Sequence, residues 1–264
     1  MPGVSAAISG MRSFFVAGVD FTLNECISLP EELCHHLARV LRLAPGTEFR
    51  LFNGSGQVAD AVLQDDGRAW LRLVHDSLPT SCRIRLIQGL PKGDRTELIL
   101  QKGTELGVSQ FDLVTTERSV VRFKRESRQQ LRWEKIIQEA ARQSGQYHLP
   151  LLQCSDSLQG ALTADEADLK LLLWEQSEAP LADVLGARKY QRISVIVGPE
   201  GGITEAEAAV AVSSGYQPVS LGPRILRTET AGLAIIAILQ YLYGDLSGSS
   251  GSMKRTYSSG KDMS

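Results

Sequence analysis

The chain is poor in the side chains that build metal and thiol chemistry. Its four cysteines, Cys26, Cys34, Cys82 and Cys154, include no C-x-x-C pair. Zinc sites and redox dithiols need paired ligands at short spacing, so neither is expected. Reduced thiols suit a cytoplasmic protein. The four histidines, His35, His36, His75 and His148, form no H-x-x-x-H pair and no triad context. They read as structural or surface groups, and no metal is expected. No apolar run reaches the ~18 residues of a membrane span. The longest, Ala231 to Leu242, is interrupted by Gly232 and Gln240 and reads as a buried helix. No basic segment followed by an apolar one opens the chain, so no secretory leader is expected. An excess of positive charge is missing too. The formal net charge is −2, so overall charge does not announce nucleic acid.

The distribution of charge says more. Arg83 to Arg142 holds thirteen Lys/Arg against eight Asp/Glu, which leaves the rest of the chain acidic. Arg118, Arg122, Lys124, Arg125, Arg128 and Arg132 crowd one stretch with a single acid, Glu126. Such a strip is either a solvated face or a track for phosphates. At 264 residues, 43% hydrophobic and 22% charged, the chain suits a two-domain globular protein. Residues 1–10 read as an extension ahead of a second methionine, Met11. Residues 245–264 are rich in Ser and Gly with almost nothing to bury, and disorder is expected there.

Residues 11–80 read mostly as strands. Glu48–Phe52, Gln57–Leu63 and Ala69–Val74 are separated by Asn53-Gly54 and Asp66-Gly67 turns. Glu31 to Leu43 carries apolar residues at helical spacing behind Pro30, so one short helix is expected. A β-rich unit of this size most simply closes into a small barrel. From residue 81 to 244 the texture changes. Apolar runs at Ile84–Leu90, Phe111–Thr115, Leu169–Trp174, Ile193–Val197 and Val219–Leu221 alternate with helical stretches. Asp94 with Glu97, and Thr204 with Glu207, mark helix starts. This is the pattern of an α/β domain with a mainly parallel sheet covered on both faces.

Gly54-Ser-Gly56-Gln-Val-Ala59 matches a loose dinucleotide fingerprint. That motif must open a helix, whereas Gln57–Leu63 has strand alternation, so a β-turn is expected and no nicotinamide cofactor. Two later segments are richer. Val195-Ile-Val-Gly198-Pro-Glu200-Gly201-Gly202 ends a buried strand in a loop with three glycines. A tight turn needs one glycine; three let a ligand approach the backbone. Leu221-Gly222-Pro-Arg224-Ile-Leu-Arg227-Thr-Glu229-Thr230-Ala231 also joins a strand to a helix, which Thr228 or Thr230 can cap. Its arginines oppose the helix dipole, which points to use rather than stability. Lys102 and Glu105 share a helix face as an ordinary surface pair.

These runs closely resemble the ribosomal RNA small-subunit methyltransferase E family. The resemblance is carried by Gln101-Lys-Gly-Thr-Glu-Leu-Gly-Val, Thr116-Glu-Arg-Ser, Glu139-Ala-Ala-Arg-Gln-Ser, Gly198-Pro-Glu-Gly-Gly and Leu221-Gly-Pro-Arg-Ile-Leu-Arg-Thr-Glu-Thr-Ala. Arg12-x-Phe-Phe and His36-x-x-x-Val-Leu-Arg42 match as well, so it runs in order from Met11 to about Gly244. Two departures stand in the middle. The family usually has an acid at Arg142 and an arginine at Gln146.

The resemblance implies a PUA-like barrel followed by a SPOUT-class domain with a deep trefoil knot. It also implies a homodimer that methylates N3 of a uridine in the decoding region of 16S rRNA, using S-adenosylmethionine. The adenosine is then expected on the loops after Leu173, Val197 and Leu221. Trp174, Gly198, Glu200, Gly201, Gly202, Gly222, Ile225, Leu226, Thr230 and Ala231 complete that contact set. RNA contacts are expected from Arg12, Arg39, Arg42, Lys92, Lys102, Arg118, Arg122, Lys124 and Arg125. Uracil N3 must lose a proton before methylation, and an arginine is suited to steady the anion. Arg227 is the first choice and Arg224 the second. Glu200 or Glu229 orients the arginine or accepts the proton. The competing readings are a non-catalytic RNA-binding or assembly factor, and an enzyme of the same fold acting on tRNA or a ribose hydroxyl.

Overall fold

The computed structural model describes residues 11–122, 128–163, 165–185 and 188–248. The extension 1–10, Lys124 and Arg125 of the basic strip, and the tail beyond Gly248 lie outside the described residues. The chain forms two compact units that meet in sequence at Pro79 and Thr80.

The first unit contains β1 (Ser13–Phe15), β2 (Cys26–Ile27), α1 (Glu31–His35), β3 (Glu48–Phe52), β4 (Gln57–Leu63) and β5 (Ala69–Asp76). Its sheet has the order β1-β3-β4-β5-β2. β1 runs parallel to β3 and the other pairs are antiparallel. No β1–β2 ladder closes it among the described residues. Phe49, Leu51, Ala61, Leu63, Ala69 and Leu71 point into one core with Phe14 and Leu37. Gly54 and Gly56 lie in the turn before β4, where Asn53 Oδ1 accepts from the Ser55 and Gln57 N–H groups. The dinucleotide-like run therefore leads into a strand. The expected helix over Glu31–Leu43 is shorter and mixed. After α1 the chain takes a π-helical turn, His36–Val40, with Leu41 N–H donating to the His36 carbonyl at 2.9 Å. Arg42 then sits at φ 51°, a left-handed conformation unfavourable for a residue with a Cβ.

The second unit contains β6 (Arg83–Gly89), α2 (Arg95–Glu105), β7 (Val108–Val114), α3 (Arg128–Ser144), β8 (Leu151–Ser155) and α4 (Leu158–Leu162). It continues with β9 (Leu169–Leu173), α5 (Leu181–Val184), β10 (Arg192–Val197), α6 (Glu205–Ser213), β11 (Gln217–Val219) and α7 (Thr228–Tyr243). Its six strands run in the order β11-β9-β10-β6-β7-β8, and every pairing is parallel. Successive residues of a strand face opposite sides. Leu86 and Val195 join Phe111, Trp133, Ile235 and Leu239 in one core. Their neighbours Ile87 and Ile196 join Val114, Leu172, Ala208 and Tyr216 in the other.

Thr204 and Glu207 make the expected reciprocal cap on α6. Asp94 precedes α2 without a side-chain cap bond, and Glu97 accepts from Arg132 instead. Among the described residues no helix is long and apolar enough to cross a membrane. Asp245–Gly248, the start of the expected disordered tail, form a turn after α7, with Leu246 N–H on the Gln240 carbonyl.

A buried polar cluster pins the β6–β10 region. Arg85 Nε lies 2.5 Å from Asp112 Oδ2, and Arg85 Nη1 lies 3.4 Å from Asp165 Oδ2. The Tyr216 hydroxyl donates to Asp165 and lies 2.7 Å from Ser194 Oγ. Burial raises the Asp165 pKa, but hydrogen bonds from Tyr216, Ser194 and Ala167 N–H, with the charge of Arg85, hold it below the ordinary range. A carboxyl depressed by folding stabilises the fold above its unfolded pKa, and that contribution fades as pH falls toward the folded one. Asp165→Asn is therefore expected to lower stability by about 1.5–3 kcal/mol at pH 7. The deficit should begin to shrink below about pH 4. Urea denaturation at several pH values checks this; no deficit at pH 7, or one unchanged down to pH 3, contradicts it.

Candidate cofactor and catalytic site

β11, β9 and β10 are neighbours in the sheet, so the loops after them share one carboxyl edge, with the end of β6 alongside. In open parallel sheets that edge is where ligands bind. Gln88, fully buried near the end of β6, ties the loops together. Its Nε2 donates to the Gly89 carbonyl and Thr228 Oγ1, both at 2.9 Å, and lies 3.3 Å from the Gly198 carbonyl. Thr228 Oγ1 in turn donates to the Gly198 carbonyl at 2.5 Å. The surrounding acceptors demand an amide nitrogen at this position, which fixes the side chain's orientation. Thr228 is thereby used as an inter-loop tie. Arg227 takes the N-cap position of α7 without a side-chain cap bond, contrary to the cap expected from Thr228 or Thr230.

The three glycines of the first loop are also closely seated against their neighbours. A Cβ on Gly198 would lie 3.0 Å from Ile203 Cγ1, and one on Gly201 would lie 2.9 Å from Arg118 Cβ. On Gly202 it would lie 2.4 Å from Glu175 Oε1. Arg118 Nη1 also donates to the Gly201 carbonyl at 3.0 Å, and Glu117 N–H donates to Glu207. The Thr116-Glu-Arg-Ser run is thus a buttress for the Gly198–Gly202 loop. Trp174, just after β9, donates its indole N–H to the Ile203 carbonyl at 3.3 Å and braces the same loop.

The loop before α7 is different. Gly222 has φ +108°, a conformation suited to glycine, and the space a Cβ would take is open. Arg224, Ile225 and Leu226 have no backbone N–H partner among the described residues. Ile225 is 95% exposed. Arg224 and Arg227 are exposed and carry no ion pair or hydrogen bond from their guanidinium groups among the described residues. Leu221 packs on the core, and Thr230 and Ala231 follow on the first turn of α7.

The carboxylates Glu200 and Glu229 come together, but around Arg95 rather than Arg224 or Arg227. Arg95 Nη1 donates to Glu200 Oε1 at 2.5 Å, and Arg95 Nε stands 3.5 Å from Glu229 Oε1. Lys92 N–H also donates to Glu200 Oε1, at 3.0 Å. Burial raises the Glu200 pKa, yet these backbone and guanidinium contacts hold it below the usual carboxylate range. Glu200 is therefore ionised and occupied near neutral pH. Glu229 Oε2 is buried with no hydrogen-bond partner among the described residues. Of the expected RNA contacts, Arg12, Arg39 and Arg42 are exposed in the first unit. In the second, Lys92 and Arg122 are exposed, while Lys102 pairs with Glu105 at 2.8 Å. Arg142 pairs with Glu139 within one turn of α3.

An all-parallel α/β unit whose strand-end loops share one carboxyl edge follows a small β unit in the chain, and the families that match the two units define an RNA methyltransferase. Residues 78–240 match the RNA methyltransferase domain family, and residues 29–74 match the RNA methyltransferase PUA domain family. The chain belongs to the ribosomal RNA small subunit methyltransferase E family. The Bacillus subtilis protein of that name is 31% identical over 247 residues, covering 88% of this chain and 96% of the relative. The Synechocystis one is 34% identical, covering 83% and 74%. Among solved structures, the Neisseria gonorrhoeae ribosomal RNA small subunit methyltransferase E bound to S-adenosyl methionine is 34% identical, with a TM-score of 0.81. It covers 90% of this chain and 100% of its own. A Legionella pneumophila methyltransferase in complex with the bound cofactor SAM has the same TM-score and coverage at 29% identity.

Proposed function

We propose that this chain transfers a methyl group from S-adenosylmethionine to N3 of a uridine in 16S rRNA of the small ribosomal subunit. The observation that carries the reading is the 221–227 loop. Its backbone groups and two arginines, unpaired among the described residues, stand beside loops stapled by Gln88 and Thr228. The fit to the cofactor is chemical. An adenine edge needs backbone donors and acceptors, and Arg224, Ile225 and Leu226 offer unpaired N–H groups. Leu173, Trp174, Val197, Gly198, Glu200, Gly201, Gly202, Leu221, Gly222, Ile225, Leu226, Thr230 and Ala231 are the residues we assign to holding it. When bound, S-adenosylmethionine supplies an electrophilic methyl group and leaves as a neutral thioether.

The protein's own task is to hold N3 in line and stabilise it as its proton departs to water. Arg227, with Arg224 beside it, donates to a carbonyl oxygen that flanks N3 and gains charge as the proton leaves. Arg12, Arg39 and Arg42 of the first unit, with Lys92, Lys102, Arg118, Arg122, Lys124 and Arg125 of the second, meet RNA phosphates. On this reading residues 11–80 dock RNA and residues 81–244 carry the chemistry and the trefoil knot. Residues 1–10 and 245–264 take no part, and the site of action is the cytoplasm. Calorimetry with S-adenosylmethionine tests the cofactor half. Saturable binding supports it, and no heat at millimolar cofactor overturns it.

Two copies are expected to pair through α7. Ile235, Ile236 and Leu239 fill the core, yet Ile238, Tyr241 and Leu242 on the same helix are 39%, 62% and 50% exposed. An apolar helix with more than one apolar face has a second surface to cover. Tyr241→Glu with Leu242→Glu is expected to convert a dimer to a monomer in light scattering at micromolar concentration. A wild-type monomer, or an unaffected dimer in the double variant, contradicts the assignment.

A further inference from the structure

Arg95 is held as though for a task. It opens α2, and its side chain remains 34% exposed. Nη1 is bound to Glu200 and lies 3.4 Å from the Lys92 carbonyl, and Nε faces Glu229. Nη2 has no partner among the described residues. The two carboxylates come from different segments, one from the loop after β10 and one from the first turn of α7. The hydrogen bond to Glu200 and the charge of Glu229 beside Nε orient the guanidinium and the direction of its remaining N–H donors.

A donor whose direction is fixed acts most strongly on an acceptor that gains charge only during reaction. Uracil has two such acceptors, a carbonyl oxygen on each side of N3, and loss of the N3 proton spreads charge over both. Arg227 lies two residues before Glu229, the carboxylate that Arg95 faces. Arg95 thus faces the first turn of the helix whose N-cap is Arg227.

We propose that Arg95 is a second donor to the target base, its Nη2 bonding one of the carbonyl oxygens that flank N3, with Glu200 and Glu229 as positioning residues that fix its plane. This rests on the uridine-N3 reading. The test uses the full-length chain, isolated small ribosomal subunits and S-adenosylmethionine, with Arg95→Gln, Arg95→Lys and Glu229→Gln. Arg95→Gln is expected to lower kcat about 100-fold. The cofactor dissociation constant, from calorimetry, should stay near wild type, while the melting temperature falls because Glu200 and Glu229 lose their shared cation. Arg95→Lys keeps the charge but not the fork, and should recover less than a tenth of the loss. Glu229→Gln keeps Arg95 but loosens it, and should lower kcat without raising KM for the subunits. Wild-type turnover in Arg95→Gln overturns the proposal. So does a loss of cofactor affinity that matches the loss of rate. If Arg95→Gln does not fold, Arg95→Lys and Glu229→Gln decide: normal kcat in both overturns it. A wild-type chain that leaves uridine N3 unmodified instead sinks the underlying reading, and the same assay separates the two failures.

Discussion

Arg227→Ala is expected to lower kcat for small-subunit methylation by about 10²–10³, which is about 3–4 kcal/mol of lost transition-state stabilisation. Cofactor affinity should change little. Arg227 sits at the N-cap of α7, exposed and without a side-chain partner among the described residues, so its removal leaves no buried charge unpaired. The helix start does not depend on it, because the tie to the Gly198 carbonyl is made by Thr228. An interaction used equally in ground and transition states would raise KM and spare kcat; one made only as charge develops lowers kcat. Single-turnover methylation with cofactor affinity measured separately distinguishes these. A variant that no longer binds cofactor makes Arg227 a cofactor residue. Normal turnover passes the role to Arg224.

A second large effect is expected at a residue that touches no substrate in this account. Gly89 ends β6 directly against Pro199. A Cβ there would lie 2.5 Å from Pro199 Cδ, 2.7 Å from its nitrogen and 3.1 Å from the Gly198 carbonyl carbon. A proline ring and backbone cannot yield as a flexible side chain can, so Gly89→Ala must push the Gly198–Gly202 loop off the sheet. Overpacking of this kind typically destabilises by about 1–3 kcal/mol. Because the displaced loop is the one stapled by Gln88, cofactor affinity should fall at least about tenfold, or 1.4 kcal/mol. Gly222→Ala is the useful contrast. It meets open space and bears only the strain of φ +108°. Cofactor binding at wild-type affinity in Gly89→Ala would show that the loop's seat on β6 does not matter.

The sequence exposes the α/β alternation because β6, β9 and β10 are largely buried and rich in Ile, Leu and Val. β8 is less buried: it is an edge strand, half exposed, with Gln153 and Cys154 near its end. The amphipathic α3 buries Trp133, Ile137, Ala140 and Ala141. Of the site, the two loops and their arginines are legible from glycine and arginine in unusual places. What each residue does there is less so. Gly201 and Gly202 read as a ligand cradle, while their close seats beside Arg118 and Glu175 are not legible in sequence. Gln88 and Arg95 reach partners more than a hundred residues away, and no local pattern marks them. The carboxylates Glu200 and Glu229 were visible as candidates to orient an arginine, but chain order suggested the arginines beside Glu229, whereas folding brings Arg95 to both.

The most direct test is nucleoside-resolved mass spectrometry of RNA after incubation of the purified chain with S-adenosylmethionine and unmethylated small ribosomal subunits. The account predicts one new 3-methyluridine in 16S rRNA and none in tRNA supplied alongside. A methyl group on a ribose hydroxyl, on tRNA, or on no RNA at all would contradict it.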